Sequence, residues 1–102
     1  MLIAYNTELL RDICFRDSIA KEHLGEKAAI SLQARHSDIQ AASNVFELLV
    51  GQVSVDGNLC TLTVPGFLSI VMAPNYPVSN DGSVYDWSTV GRVKLMGINN
   101  VK

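Results

Sequence analysis

The chain has no surplus of basic residues. Its 102 residues include 8 Lys and Arg against 10 Asp and Glu, which gives a formal net charge of −2 and an isoelectric point near 5.5. Proteins that bind nucleic acid usually carry a basic stripe that contacts phosphates. This composition therefore argues against a strongly basic nucleic-acid-binding surface.

Cysteine is also scarce, since Cys14 and Cys60 are the only two and lie far apart in the sequence. Neither belongs to a CxxC motif or to a Cys/His spacing typical of metal ligands. We expect both to be small buried hydrophobic residues, Cys14 on a helix face and Cys60 in a central strand. No metal and no cofactor is predicted.

The chain lacks a long apolar run. Its longest uncharged stretch, Gly57 to Asn80, is interrupted by Pro65-Gly66, Pro74 and Pro77 and is a poor membrane span. The N-terminus has no basic segment leading into an apolar run and a small-residue cleavage site. We therefore expect a cytoplasmic protein.

What the chain does contain is enough apolar sequence for one core. Hydrophobic residues make up 48% of the chain and charged residues 18%, which is typical of globular proteins. This length favours a single domain over residues 1–102.

The segment Leu59–Ala73 predicts the centre of a sheet. Pro65-Gly66 marks a turn between two uncharged, β-branched runs, Leu59–Val64 and Phe67–Ala73, which we interpret as antiparallel strands. Edge strands usually carry charges, so these two should be internal. Three further strands and one loop are predicted: Met1–Tyr5 at an edge, Gln52–Asn58 with an Asp56-Gly57 hairpin turn, Val90–Ile98 with Val93 and Leu95 facing inward, and the loop Pro74–Gly82.

Two helical patterns precede the central strands. The first begins at an Asn6 N-cap and runs to about Phe15. The second follows Gly25 and runs to about Ala42, with His36 beside its apolar stripe, where a packing role is favoured over that of a general base. Together these elements predict an α+β fold, β-α-α-β-β-β-β, in which two N-terminal helices cover one face of a small, mostly antiparallel twisted sheet.

Three blocks of sequence resemble a known family. They are LRDIC (Leu10–Cys14), LQARHSDIQAASNVFELLVG (Leu32–Gly51) and DGSVYDWSTVGRVKLMGI (Asp81–Ile98), and they occur in the family's order. The chain resembles the RelE/ParE superfamily of bacterial toxins, and within it the HigB-like killer proteins of plasmid-maintenance modules. The superfamily fold has the same order of elements as the one predicted above. Trp87 matches the family tryptophan, and we expect it to be a packing anchor.

The resemblance implies the toxin of a type II toxin–antitoxin module that inhibits growth, with a cognate antitoxin as its partner. The sequence leaves the oligomeric state open, with a homodimer as one alternative. Most relatives are ribosome-dependent mRNA endonucleases (mRNA interferases), so the ribosome and mRNA are expected partners of an active enzyme. The ParE branch instead inhibits gyrase. A third alternative is a RelE-like domain that binds its antitoxin without cleaving RNA.

The family's cationic positions are occupied differently in this chain. The segment that is usually a basic loop reads QVSVDG, Ser69 stands where the family has a strand arginine, and the end of the chain offers no histidine. In the family, such groups orient the phosphate and stabilise the transition state. If the chain is active, the predicted catalytic residues are Ser69, Arg92 and Lys94, and the predicted RNA-binding residues are Arg35, Tyr76, Tyr85 and Lys102.

Overall fold

A computed structural model describes residues 1–76 and 84–101. Within them the fold is α+β, as predicted, with three helices and a five-stranded mixed sheet. The helices are α1 (Glu8–Phe15), α2 (Asp17–Leu24) and α3 (Glu26–Ala41); the strands are β1 (Leu2–Tyr5), β2 (Gln52–Asp56), β3 (Leu59–Val64), β4 (Leu68–Pro74) and β5 (Arg92–Asn100). Most of the predicted loop Pro74–Gly82, and also Lys102, lie outside the described residues.

The strands follow the order β1-β5-β4-β3-β2. The β2–β3, β3–β4 and β4–β5 pairs are antiparallel, whereas β1 runs parallel to β5. The prediction that Leu59–Val64 and the strand after Pro65-Gly66 form an internal antiparallel pair is confirmed, because β3 and β4 each have a strand on both sides. The prediction that the N-terminal strand lies at an edge is also confirmed.

One face of the sheet contributes most of its side chains to the core. Leu62 on β3 and Ile70 on β4 face each other and are fully buried, and Val93 and Leu95 on β5 continue the same face. Leu32 and Ile39 of α3 belong to the same apolar cluster. Burial of this alternating set of side chains fixes the register, since a slip of one residue would expose all of them.

The helical layer differs from the prediction in its first cap. Thr7, not Asn6, caps α1, because its Oγ1 accepts a hydrogen bond of 3.1 Å from the Leu10 amide. Asn6 still follows the path of β1, since its backbone N–H donates to the Leu95 carbonyl at 3.0 Å. The cap therefore lies one residue later than the local sequence suggested.

The helical layer also contains one helix more than the two predicted. Arg16 has extended backbone angles and separates α1 from α2, and Gly25, with φ of 83°, separates α2 from α3. Only Ala20 and Leu24 of α2 are buried, so its apolar pattern is weak. The Leu24 carbonyl accepts a hydrogen bond from the Asn100 side chain of β5. This contact between distant parts of the chain helps to fix the end of α2.

The pairing of β4 with β5 contains an irregularity. Val71 lies opposite Gly97 whereas its neighbour Met72 lies opposite Leu95, so Met96 has no partner in β4. Such a bulge adds one residue to a strand and increases its local twist. It allows Leu95 and, three residues later, Ile98 to face the same core.

Candidate functional site: the outer face of the sheet

The second face of the sheet, opposite the core, is called the outer face here. On β3 and β4 it is formed by half-buried side chains that alternate with the core residues: Thr61, Thr63, Ser69, Val71 and Ala73. Thr63 lies opposite Ser69, and Thr61 lies opposite Val71. The middle of the outer face therefore presents small hydroxyl and aliphatic groups without formal charge.

Ser69 occupies a neutral part of this face. Its neighbours across the two strand pairings are Thr63 on β3 and Asn99 on β5. Hydroxyl and amide groups of this kind both donate and accept hydrogen bonds. They can bind a polar partner, but they provide no positive charge to balance a phosphate.

Arg92 and Lys94 lie together at one end of the outer face. They are two residues apart on β5 and lie opposite Leu2 and Ala4 of β1, and Lys94 also lies opposite Ala73 of β4. Because Ala73 is four residues from Ser69 along β4, Lys94 is about 13 Å from Ser69 at the usual rise per strand residue. The structure thus brings Arg92 and Lys94 together and keeps Ser69 apart from both.

Arg35 belongs to a different layer of the molecule. It lies on α3, and its Nε donates to Oδ2 of Asp38 at 2.9 Å. Only 16% of its side chain is exposed. An RNA contact was predicted for Arg35, and in the structure its guanidinium has a carboxylate partner within its own helix.

Tyr76 and Tyr85 contact each other beside the start of β5. Their ring centroids are 5.3 Å apart and their planes are inclined by 31°. The Tyr76 hydroxyl accepts a hydrogen bond of 3.0 Å from the Gly91 amide, immediately before Arg92, and the Tyr85 amide donates to Oδ1 of Asn58. Two of the predicted RNA-binding residues are therefore held beside the residue that precedes Arg92, and both are partly buried against the core. Lys102, the remaining predicted RNA-binding residue, is not among the described residues.

An aromatic cluster between β1, α1 and α3 was not predicted. Tyr5 Oη and His36 Nε2 are joined by a hydrogen bond of 2.7 Å, and Phe15 packs edge-on against both rings. Burial lowers the pKa of His36 and raises the pKa of Tyr5 to about 12. Both groups are therefore neutral near pH 7, and their contact is a hydrogen bond between neutral side chains inside the ring cluster. The sequence offered only the position of His36 beside an apolar stripe, because its partner is 31 residues away.

Cys60 is fully buried, as expected, whereas Cys14 is only half-buried and packs at the border of the core. Burial raises the pKa of Cys14 to about 12 and that of Cys60 to about 11, so neither is an activated nucleophile. Over residues 1–76 and 84–101, the His, Cys, Asp and Glu side chains form no cluster of three or more that could hold a metal ion. None of the helices in these ranges has the length and apolar character needed to cross a bilayer.

Comparison with known proteins gives no match to any protein-family model, curated protein or solved structure. The resemblance to the RelE/ParE superfamily therefore stays a prediction from the three sequence blocks.

Proposed function

We propose that this chain is a RelE-like domain of a type II toxin–antitoxin pair that binds its antitoxin protein in the cytoplasm, with RNA cleavage no longer its main activity. In this proposal the helices lie on one face of the sheet and the outer face meets the partner. The observation that carries the proposal is the neutral outer face around Ser69, where the family resemblance implies cations.

The chemistry of the outer face favours a protein over RNA as its ligand. Much of the affinity for RNA comes from phosphate contacts with Lys and Arg. Around Ser69 the paired side chains are instead Thr63 and Asn99, and the next outer-face pair is Thr61 and Val71. Small hydroxyl and aliphatic groups suit a protein segment, because they supply hydrogen bonds and close packing without the cost of removing water from a charge.

Co-purification with the product of the neighbouring gene tests the proposal. We expect a stable complex that is lost when Thr63→Arg and Val71→Arg are combined, since both changes place long cations in the middle of the outer face. The matched control is Ile30→Arg, a change to an exposed position on α3, which should leave the complex intact. A chain that fails to bind the neighbouring product, but binds ribosomes with strong salt dependence, would contradict the proposal.

Ribosome-dependent mRNA cleavage is the second candidate function. It is supported by the position of Arg92 and Lys94 on one side of β5, with the Tyr76–Tyr85 pair bonded to Gly91, the residue before Arg92. Two cations can bind successive phosphates, and aromatic rings can stack on bases. In this arrangement Arg92 and Lys94 would stabilise the charge that develops on the phosphate.

Inducible expression in a bacterium separates the two functions. An active nuclease arrests growth and cuts mRNA on ribosomes, and the Arg92→Ala/Lys94→Ala variant should then grow normally, whereas Arg16→Ala, at an exposed site, should still arrest growth. Normal growth when the unaltered chain is expressed without its antitoxin, at a level that gives a complex once the antitoxin is supplied, would exclude the nuclease and leave partner binding as the function.

A further inference from the structure

Strand β2 forms an edge of the sheet that carries little protection against strand pairing. It is the last strand in the order β1-β5-β4-β3-β2 within the described residues. Natural edge strands are usually blocked by Pro, by Lys or by a bulge. The β2 sequence, QVSVD, has neither Pro nor Lys, it pairs with β3 without a register shift, and its only charge is Asp56 at the end.

The hairpin geometry determines which backbone groups of β2 face outward. Gly57 and Asn58 form a two-residue turn between the paired residues Asp56 and Leu59, and Gly57 has φ of 59°, as in a type II′ turn. Such a turn closes on a hydrogen-bonded pair, and these pairs alternate along an antiparallel ladder. Asp56, Ser54 and Gln52 therefore bond to β3, and the N–H and C=O groups of Val53 and Val55 point away from the sheet.

The two faces of β2 carry different kinds of side chain. Val53 and Val55 lie opposite Leu62 and Cys60, on the side of the core, and 42% of Val55 is exposed. Ser54 and Gln52 lie on the outer face with Thr61 and Thr63. A strand added at this edge would thus meet an apolar row on one side and a polar row on the other.

We infer that β2 pairs antiparallel with β2 of a second copy of this chain, about a twofold axis at Ser54. In this register Val53 lies opposite Val55 of the second copy, and the outward backbone groups of both residues are satisfied. Gln52 lies opposite Asp56 of the second copy, and the two Ser54 residues face each other. The two sheets become one continuous sheet across the axis.

A second copy fits this edge because β2 is complementary to itself, as a twofold interface requires. Each Asp56 carboxylate lies beside a Gln52 amide, and the two carboxylates are separated by about 13 Å, the span of four strand residues. No pair of like charges therefore meets across the axis. This arrangement would hold equally for an active or an inactive toxin, so it does not depend on the proposed function.

The apolar residues that flank β2 would add to the area that the dimer interface buries. Pairing of two five-residue strands covers less than the area of about 800 Å² per partner that is typical of stable complexes. Leu49, Val50 and Leu59 border the strand and are 94%, 44% and 48% exposed. We expect these residues to be partly covered in the dimer and the affinity to be in the micromolar range.

Cysteine cross-linking tests the register directly. The two Ser54 residues form a non-hydrogen-bonded pair, with Cα atoms about 4.5 Å apart, which lies within the range that a disulfide spans. Under mild oxidation we expect Ser54→Cys to give a covalent dimer on non-reducing gels. Gln52→Cys is the matched control, because its two copies would be about 13 Å apart and should cross-link at least about tenfold less. The unaltered chain, run alongside, measures any background from Cys14 and Cys60.

Sedimentation equilibrium tests the dimer without a cross-link. We expect a monomer–dimer equilibrium that depends on protein concentration. Val55→Lys should shift it to monomer, because the two lysines would lie about 7 to 8 Å apart on the diagonal of the new strand pair, whereas Val55→Thr should preserve it. Circular dichroism checks that both variants are folded. A monomer at every concentration, or equal cross-linking of Ser54→Cys and Gln52→Cys, would overturn the inference, and so would a β2 edge that binds only a strand of another protein.

Discussion

At the scale of single residues, the contact between Tyr5 and His36 couples folding to pH. Burial lowers the pKa of His36 below its usual 6.5, so the unfolded chain binds a proton more readily than the folded chain. The stability that neutral His36 provides is therefore complete above pH 6.5 and is lost as the pH falls below it. We expect the free energy of unfolding, measured with urea, to decrease between pH 7.5 and pH 5.5.

Two substitutions identify the histidine responsible for this loss. His36→Gln removes the titrating group, so the free energy of unfolding of this variant should change much less between these pH values. His23 is exposed on α2, and His23→Gln should keep the pH dependence of the unaltered chain. If His36→Gln and the unaltered chain lost the same stability on acidification, a different group would be responsible.

The N-cap of α1 is a second residue-scale feature with a measurable effect. Thr7 Oγ1 accepts the Leu10 amide, and replacing such a cap by alanine usually costs about 1 kcal/mol. We expect this loss for Thr7→Ala and a near-normal free energy of unfolding for Thr7→Ser. Asn6→Ala should also be nearly neutral, because Asn6 acts through its backbone N–H; a larger loss for Asn6→Ala than for Thr7→Ala would contradict the assigned cap.

The choice between these two residues shows what local sequence leaves open. Asn and Thr are both good N-caps, and the chain has them next to each other at positions 6 and 7. The choice depends on the hydrogen bond from Asn6 to Leu95, which is 89 residues away. Tyr5 and His36 are a similar case, since the sequence indicated that His36 packs but gave no signal for its partner.

At the scale of elements, the backbone that leads into β2 requires glycine at position 51, the residue before the strand. Gly51 has φ of 93°, and a Cβ there would lie 2.9 Å from both the Leu62 side chain and the Thr63 carbonyl. Gly51→Ala combines backbone strain with this overlap, so we expect it to reduce the free energy of unfolding by about 2 kcal/mol or more. Gly57→Ala is the control, because its φ is also positive but no atom lies within 4 Å of its Cβ. Equal losses for the two variants would mean that the close contact contributes nothing.

The elements also differ in how far the sequence determined them. The pair β3–β4 was predictable because its signals are local: an uncharged β-branched run, a Pro-Gly turn, and a second such run. Helix α2 was missed because its buried side is only Ala20 and Leu24 and its end is fixed by Asn100. Contacts between distant parts of the chain also limit what the sequence predicts about the candidate site. Alternation along β5 placed Arg92 and Lys94 on one face, but only the β4–β5 register shows how far these two residues lie from Ser69.

At the scale of the whole molecule, the apolar cluster joins the helices, the sheet and the segment around Trp87. Trp87 is 3% exposed, and its indole N–H donates to the Gly57 carbonyl at 2.9 Å, at the β2–β3 turn. It is the only tryptophan in the chain, so fluorescence reports on this end of the sheet, whereas far-ultraviolet circular dichroism reports largely on the helices. A single connected core predicts that both signals change at the same urea concentration.

A substitution in α3 tests this cooperativity from the opposite side of the core. Ile39 is fully buried, and Ile39→Val should cost about 1 kcal/mol because it deletes one methylene from a packed site. If the molecule unfolds as one unit, the Trp87 transition must shift with the helical signal, even though the substitution is in a helix. Ile30→Val, on the exposed side of the same helix, should move neither transition. A helical signal that shifts alone after Ile39→Val would show that the helices and the Trp87 segment unfold separately, and the single core would then not act as one cooperative unit.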